Sequence, residues 1–292
     1  MRVRIATRHS PLARWQTDHI ASLLRAADPS VEVEVVAMAS AADLRLDVPI
    51  SSFGGKGVFA KEVQQAVLEG RADLAVHSAK DLPSVTVDGL TLAAVPARGE
   101  VRDALVGLRL DELRPGYRVA TGSNRRRAQL AQLVPGLEFF ELRGNMATRL
   151  AKAADFDAIV VAAVALERLG WADRLAEVVD VDRMVPQVGQ GALAVEARID
   201  DEAAQALVAR IEHAPSRRAV DAERAYLAEL GGDCDLPAGA YATLDADGGI
   251  TLRAFLTSPD FAQVHRSTHA GTDPTAVGTE AARAARTAIA PS

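Results

Sequence analysis

Four short segments combine residue types that chemistry needs more than packing does. His77-Ser78-Ala79-Lys80-Asp81-Leu82-Pro83 sets an ammonium beside a carboxylate just before a proline. Gly122-Ser123-Asn124-Arg125-Arg126-Arg127 crowds three guanidiniums at a helix start, where cations oppose the helix dipole and a bound polyanion would offset them. Leu142-Arg143-Gly144-Asn145 adds another cation in loop-forming company. Gly231-Gly232-Asp233-Cys234-Asp235-Leu236-Pro237 holds the only cysteine of the chain. Gly, Asp and Pro around Cys234 argue for a loop, in which a thiol can be reached and used; a free cysteine also serves as a small buried apolar residue, and local sequence leaves both readings open. Two ionised aspartates beside it would raise its pKa, so activation would need arginines from elsewhere in the chain.

These segments sit where strands end. Val3–Ala6 reads as a strand leading to Arg8, and Ser10-Pro11 caps and opens a helix through about Arg25. Val31–Val36 is a second strand, Lys61–Glu69 a helix, and Asp73–Val76 a buried strand running into His77. A similar set follows: strands at Asp103–Val106, Arg118–Thr121, Glu138–Leu142 and Ala158–Ala162, with helices at Asn124–Leu133 and Met146–Ala154. This alternation predicts α/β domains with largely parallel sheets. Ligands of open α/β sheets bind beyond the carboxyl ends of the strands, and helix N-termini at Ser10 and Ser123 would add N–H donors for an anion. After Val188-Gly189-Gln190-Gly191 and an apolar strand over Ala192–Ala197, the pattern changes near Pro215. A helix over Arg217–Leu230, strands near Ala240–Leu244, Thr251–Leu256 and Val264–Thr268, and a helix over Pro274–Ala290 predict a small α+β domain.

Composition narrows the classes. A chain of 292 residues, 49% hydrophobic and 25% charged, suits two or three soluble domains. A net charge of -6 argues against a generic nucleic-acid binder. Only four of the 33 basic residues are lysines. Genome composition accounts for such a bias, and so does a need for the two-pronged grip of arginine on carboxylates or phosphates; position has to decide. One cysteine excludes an intrachain disulfide, and the six histidines show no metal-ligand spacing, so no metal is expected. No apolar run reaches a membrane span and no signal-peptide core is visible, which predicts a cytoplasmic protein without membrane partners. Gly54-Gly55-Lys56-Gly57 lacks the spacing and following Ser or Thr of a nucleotide loop.

Taken in order, the motifs resemble the porphobilinogen deaminase (hydroxymethylbilane synthase) family. The resemblance runs from Arg4-Ile5-Ala6-Thr7-Arg8-His9-Ser10-Pro11 through Gly54–Phe59, Ala75–Pro83, Leu142–Asn145, Thr148-Arg149-Leu150 and Val188–Ala192 to Ala222-Glu223-Arg224-Ala225. It implies two periplasmic-binding-protein-like domains plus a small C-terminal α+β domain: residues 1–95 with 188–210, 96–187, and 211–292. It implies stepwise condensation of four porphobilinogen molecules onto a dipyrromethane cofactor attached through a thioether to Cys234, with release of ammonia and then of hydroxymethylbilane. Asp81 matches the catalytic aspartate. Lys80, Ser123, Arg125, Arg126, Arg143 and Arg149 match the cofactor-binding set. Arg8, Ser10, Arg149 and Arg168 match the substrate-binding set. A monomer is implied. The chain departs from the family at Ser40-Ala41-Ala42-Asp43, at Asp233 and at Gln187, where glycine or another small residue is usual. A non-catalytic anion-binding protein with the same two-domain clamp is the rival reading, and the retained Asp81 and Cys234 weigh against it.

Overall fold

The computed structural model describes residues 1–38, 60–231 and 236–289. The glycine loop at 54–57, the segment at 40–43, and Cys234 with Gly232, Asp233 and Asp235 lie outside them. In chain order the elements are β1 (Arg2–Arg8), α1 (Pro11–Ala27), β2 (Glu32–Met38), α2 (Lys61–Leu68), β3 (Leu74–Ser78), β4 (Leu90–Ala94), β5 (Asp103–Gly107) and β6 (Arg118–Ala120). Then come α3 (Asn124–Leu133), β7 (Glu138–Phe140), α4 (Met146–Ala151), β8 (Ala158–Ala162), α5 (Ala163–Arg168), β9 (Glu177–Val178), β10 (Leu193–Arg198) and α6 (Glu202–Val208). The last are α7 (Ala214–Glu229), β11 (Ala238–Leu244), β12 (Ile250–Thr257), β13 (Val264–Gly271) and α8 (Pro274–Ile289).

The chain divides into two compact units, Met1–Arg98 with Ala192–Arg217, and Gly99–Gly191 with Arg218–Ser292. The first is built on a five-stranded sheet in the order β2-β1-β3-β10-β4. Strand β1 is parallel to β2 and β3, and β10 runs antiparallel between β3 and β4. Ile20 and Leu24, four apart on α1, meet Ile5, Leu74 and Val195 of the sheet in one core. The apolar run of β3 is buried almost throughout, as a central strand covered on both faces requires.

The second unit repeats the plan in the order β7-β6-β8-β5-β9, with β6 parallel to β7 and β8, and β5 antiparallel to β8 and β9. Its remaining sheet, β11-β12-β13, is antiparallel. Helices α7 and α8 pack on it in one core with Tyr226, Leu252 and Ala281. At the contact a Cβ on Gly278 would lie 2.2 Å from the Ala222 carbonyl oxygen, so only glycine lets the helices approach this closely.

The fold class is α/β, with two five-stranded sheets packed by helices and a small α+β element on a three-stranded sheet, as expected. The expectation of largely parallel sheets needs correction: both large sheets are mixed. Strands β5 and β10 are the first ones the chain forms after crossing from one unit into the other. Neither is delivered by a strand–helix–strand crossover, so nothing obliges it to run parallel to its neighbour.

Candidate active site

In the first unit, β1 and β3 are adjacent and parallel, so their carboxyl ends lie side by side. Arg8 is the last residue of β1, and Lys80 and Asp81 lie in a single 3-10 turn directly beyond β3. All three are half-buried. Ser10 caps α1, its hydroxyl accepting from the Ala13 N–H at 3.2 Å, with Pro11 at the first helical position. Gln16, one turn further along α1, donates Nε2 to Ser78 Oγ at 2.7 Å and ties the helix to the end of β3. Beneath the turn, His77 Nε2 sits 3.0 Å from Glu196 Oε2 of β10, and Gln64 Nε2 of α2 donates to the same oxygen at 2.8 Å. The turn carrying Asp81 therefore leaves a strand gripped by polar contacts from two neighbouring elements. The Ala79 N–H, donating to the Ala192 carbonyl at 3.0 Å, holds the turn itself.

In the second unit the carboxyl ends of β6, β7 and β8 carry the remaining candidates. Ser123 caps α3, accepting from the Arg126 N–H. Arg125 and Arg126 do not form a solvated helix face: they are 3% and 6% exposed. Both pair with Asp103 of β5, Arg125 through Nη1 to Oδ2 at 2.7 Å and Arg126 through Nη2 and Nε to Oδ1 at 2.8 and 3.0 Å. Gln190 Nε2 adds a fourth N–H to the carboxylate, its bond to Oδ1 being 2.9 Å. Burial disfavours the charged form of Asp103, but the two guanidiniums outweigh it and hold the carboxyl well below the usual range. Burial also lowers the pKa of Arg125, against the pull of Asp103. Arg127 leaves this cluster and donates to the Thr121 carbonyl and to Glu141.

Arg143, beyond β7, is partly exposed, with Nε 3.5 Å from Glu141 Oε2. Arg149 on α4 donates Nε to the Gly144 carbonyl at 2.9 Å. Gly144 has φ +105°, and a Cβ there would lie 2.7 Å from the Thr148 side chain, so this turn demands glycine. Arg168, the last residue of α5, donates Nη2 to the Gly191 carbonyl at 2.7 Å, and burial pushes its pKa down to about 10. The same carbonyl accepts from the Gly99 N–H at 3.1 Å. Arg168 thus holds the segment through which the chain leaves this unit.

Arg8, Ser10, Lys80 and Asp81 therefore gather at the sheet end of the first unit, and Ser123, Arg125, Arg126, Arg143, Arg149 and Arg168 at strand ends of the second. Asp103, the shared partner of Arg125 and Arg126, was not among the sequence candidates, and Gln190 stood there only as part of Val188-Gly189-Gln190-Gly191. The signal for Asp103 was faint: an acid opening an otherwise apolar strand, Ala104-Leu105-Val106. Among the described residues no cluster of three His, Cys, Asp or Glu could hold a metal ion, and no helix is long and apolar enough to cross a membrane.

One buried feature bears directly on an anionic ligand. Nε and Nη2 of Arg125 have no hydrogen-bond partner among the described residues. One carboxylate also faces two guanidiniums, leaving a surplus positive charge in a nearly dry site. Residues 3–206 match the family model described as "Porphobilinogen deaminase, dipyromethane cofactor binding domain", and residues 218–286 match "Porphobilinogen deaminase, C-terminal domain". The chain belongs to the porphobilinogen deaminase family. It is 43% identical to the porphobilinogen deaminase of Acidithiobacillus ferrooxidans over 97% of this chain and 94% of that one. It is 47% identical to that of Chromobacterium violaceum over 89% of this chain and 85% of that one. Among solved structures it is similar to a TRAP periplasmic solute binding protein from Desulfovibrio salexigens, with 14% identity, 76% of this chain and 79% of that chain covered, and a TM-score of 0.38. As the family's cofactor, dipyrromethane carries acetate and propionate groups, and the unpartnered edge of Arg125 has the donor pattern for one of these carboxylates.

Proposed function

We propose that this protein is a cytoplasmic, monomeric transferase that condenses four porphobilinogen molecules in turn on a dipyrromethane held by Cys234, releasing ammonia at each step and hydroxymethylbilane at the end. The observation that carries the reading is the pair of family matches, which together span residues 3–206 and 218–286. The reading takes domains at 1–95 with 188–210, 96–187 and 211–292, one to each of the three sheets.

In this reading the cationic residues bind and orient. Every ring of the growing product carries two carboxylates, and Arg8, Ser10, Arg149 and Arg168 hold them on substrate and product. Lys80, Ser123, Arg125, Arg126, Arg143 and Arg149 hold the cofactor's carboxylates. Each charge-assisted bond contributes roughly 1.5–3 kcal/mol. Asp81 faces the reacting pyrroles: its carboxylate accepts their N–H groups and stabilises the positive charge that develops as the C–N bond breaks and ammonia leaves with the electron pair. The terminal pyrrole α-carbon attacks the methylene that ammonia has left, and the proton this α-carbon then loses passes to the same carboxylate or to water. When bound, the dipyrromethane supplies the free pyrrole α-carbon on which the chain is built. No nucleic-acid or membrane partner enters the reaction.

The test is the denatured intact mass of the purified protein. An excess equal to one covalent dipyrromethane, absent from Cys234→Ser, is expected. An unmodified protein that gains no mass on incubation with porphobilinogen or hydroxymethylbilane would leave an anion-binding protein instead.

A further inference from the structure

We infer that Asp103 is a positioning residue that determines which edge of Arg125 is offered to a cofactor carboxylate. This rests on the reading that Arg125 binds dipyrromethane.

The geometry divides the two arginines unequally. Arg126 spends three of its five N–H groups on the protein: Nε and Nη2 on Asp103 Oδ1, and Nη1 on the Val160 carbonyl at 3.1 Å. Arg125 places only Nη1, which donates to Asp103 Oδ2 at 2.7 Å and to the Val185 carbonyl at 2.6 Å. These two acceptors lock one corner of the guanidinium. The opposite edge, Nε with Nη2, is the one buried without a partner among the described residues. Two parallel N–H groups on one edge match the two oxygens of a carboxylate, and a carboxylate would also neutralise the surplus charge of the cluster.

Asp103 is the hub of this division. It is fully buried and has no freedom to follow a moving ligand. Its Cα partner is Ala162, the last residue of β8, so it is fixed to the sheet beside the strand ends. Gln190, donating to both Asp103 Oδ1 and the Val101 carbonyl at 2.8 Å, holds the carboxylate from a third side. The stem of Arg125 is confined as well: a Cβ on Gly239 would lie 3.0 Å from its Cδ and 2.7 Å from the Pro186 carbonyl oxygen. Gly239 belongs to β11, the strand that follows Cys234 in the chain. On this argument Arg125 meets a cofactor carboxylate with a whole guanidinium edge, and Arg126 reaches one only through the N–H groups that Asp103 and the Val160 carbonyl leave over.

The test separates charge from position. Asp103→Asn keeps the shape and removes the charge; Asp103→Glu keeps the charge and displaces it by one methylene. Each apo-protein, made in cells lacking porphobilinogen, is incubated with porphobilinogen, and the fraction gaining the dipyrromethane mass is followed over time beside its thermal transition. Both variants should load at least tenfold more slowly. For Asp103→Glu the thermal midpoint should stay within a few degrees of the parent, and the loss should appear in the half-saturating porphobilinogen concentration. Loading of Asp103→Glu at the parental rate would overturn the inference. If neither variant folds, Gln190→Met decides: it removes one N–H from Asp103 and leaves both ion pairs, so several-fold slower loading supports the inference and unchanged loading overturns it. A parent apo-protein that gains no mass would instead overturn the cofactor reading, and this inference with it.

Discussion

Replacing Gly191 by alanine should be far more costly than replacing another glycine of the same backbone conformation. Gly191 has φ +86°, where an L-residue loses about 1–2 kcal/mol. The new Cβ would also lie 2.7 Å from the carbonyl oxygens of both Gly99 and Glu100. These are backbone atoms and cannot rotate away, so the segment has to shift. The shift would break the bonds that the Gly191 carbonyl accepts from the Gly99 N–H and from Arg168 Nη2. A neutral bond contributes about 1 kcal/mol and a charged one about 1.5–3. With partial relaxation, Gly191→Ala should cost about 3–5 kcal/mol. Gly116 is the control: its φ is +84°, and nothing lies within 4 Å of where a Cβ would go, so Gly116→Ala should cost only the backbone share, about 1 kcal/mol. Both glycines belong to the second unit. Trp171 is in that unit too, and in a Trp15→Phe background it is the sole tryptophan. Urea unfolding followed by its fluorescence therefore reads both variants with one probe. Equal costs would refute the argument from close approach.

Three further outcomes follow from the geometry. Because the Asp103 carboxyl is held below its unfolded value, its stabilisation is complete above about pH 4 and is lost as the pH falls; acid unfolding curves should therefore be steeper for the parent than for Asp103→Asn between about pH 4 and 2, and parallel curves would contradict this. Tyr226 donates to the Phe255 carbonyl at 2.9 Å from a fully buried phenol whose pKa burial raises. Tyr226→Phe should cost about 1 kcal/mol by denaturant unfolding, with no dependence on pH between 6 and about 9. Asp81→Ala should lower hydroxymethylbilane formation by about a hundredfold or more while the thermal midpoint holds, because Asp81 sits half-exposed in a turn rather than in a core; full activity would remove it from the chemistry.

Much of the architecture could be read in advance because local and tertiary preferences agree. Ser10-Pro11 caps a helix by its own chemistry, and α1 begins there. The apolar runs over Ala158–Ala162 and Leu74–Val76 have no polar face to expose, and both became central strands. Other elements carried no such signature. Strand β4 is buried only at its two ends and lies between prolines at 83 and 96, with no alternation to mark it. Helix α6 is seven residues long, too short for a clear period, and is marked chiefly by the Asp201 cap. The helix expected over Met146–Ala154 tightens into a 3-10 turn from Lys152 onward.

The site was legible as a set of residue types but not as a set of partnerships. Three arginines at a helix start announce an anion, yet the anion that two of them meet is Asp103, 22 positions from Arg125. No spacing rule links a strand residue to a helix start across that distance; the sheet register, with β5 beside β8, brings them together. The Arg168 contact escaped for the same reason, since its acceptor is a backbone carbonyl 23 positions away whose availability depends on a left-handed glycine.

The order of strands in the first sheet also governs how this protein must be made. Strand β4 is paired only with β10 among the described strands, and β10 closes the open side of β3. During synthesis, residues 1–98 emerge first, but the sheet they belong to stays unfinished until a further hundred or so residues have been translated. In that interval the largely buried strand β3 presents a bare edge, and a nascent chain in that state is a target for chaperones and for strand pairing with its neighbours. A piece ending at Arg98 would keep that edge permanently. The first unit is an early part of the polypeptide and a late product of its folding.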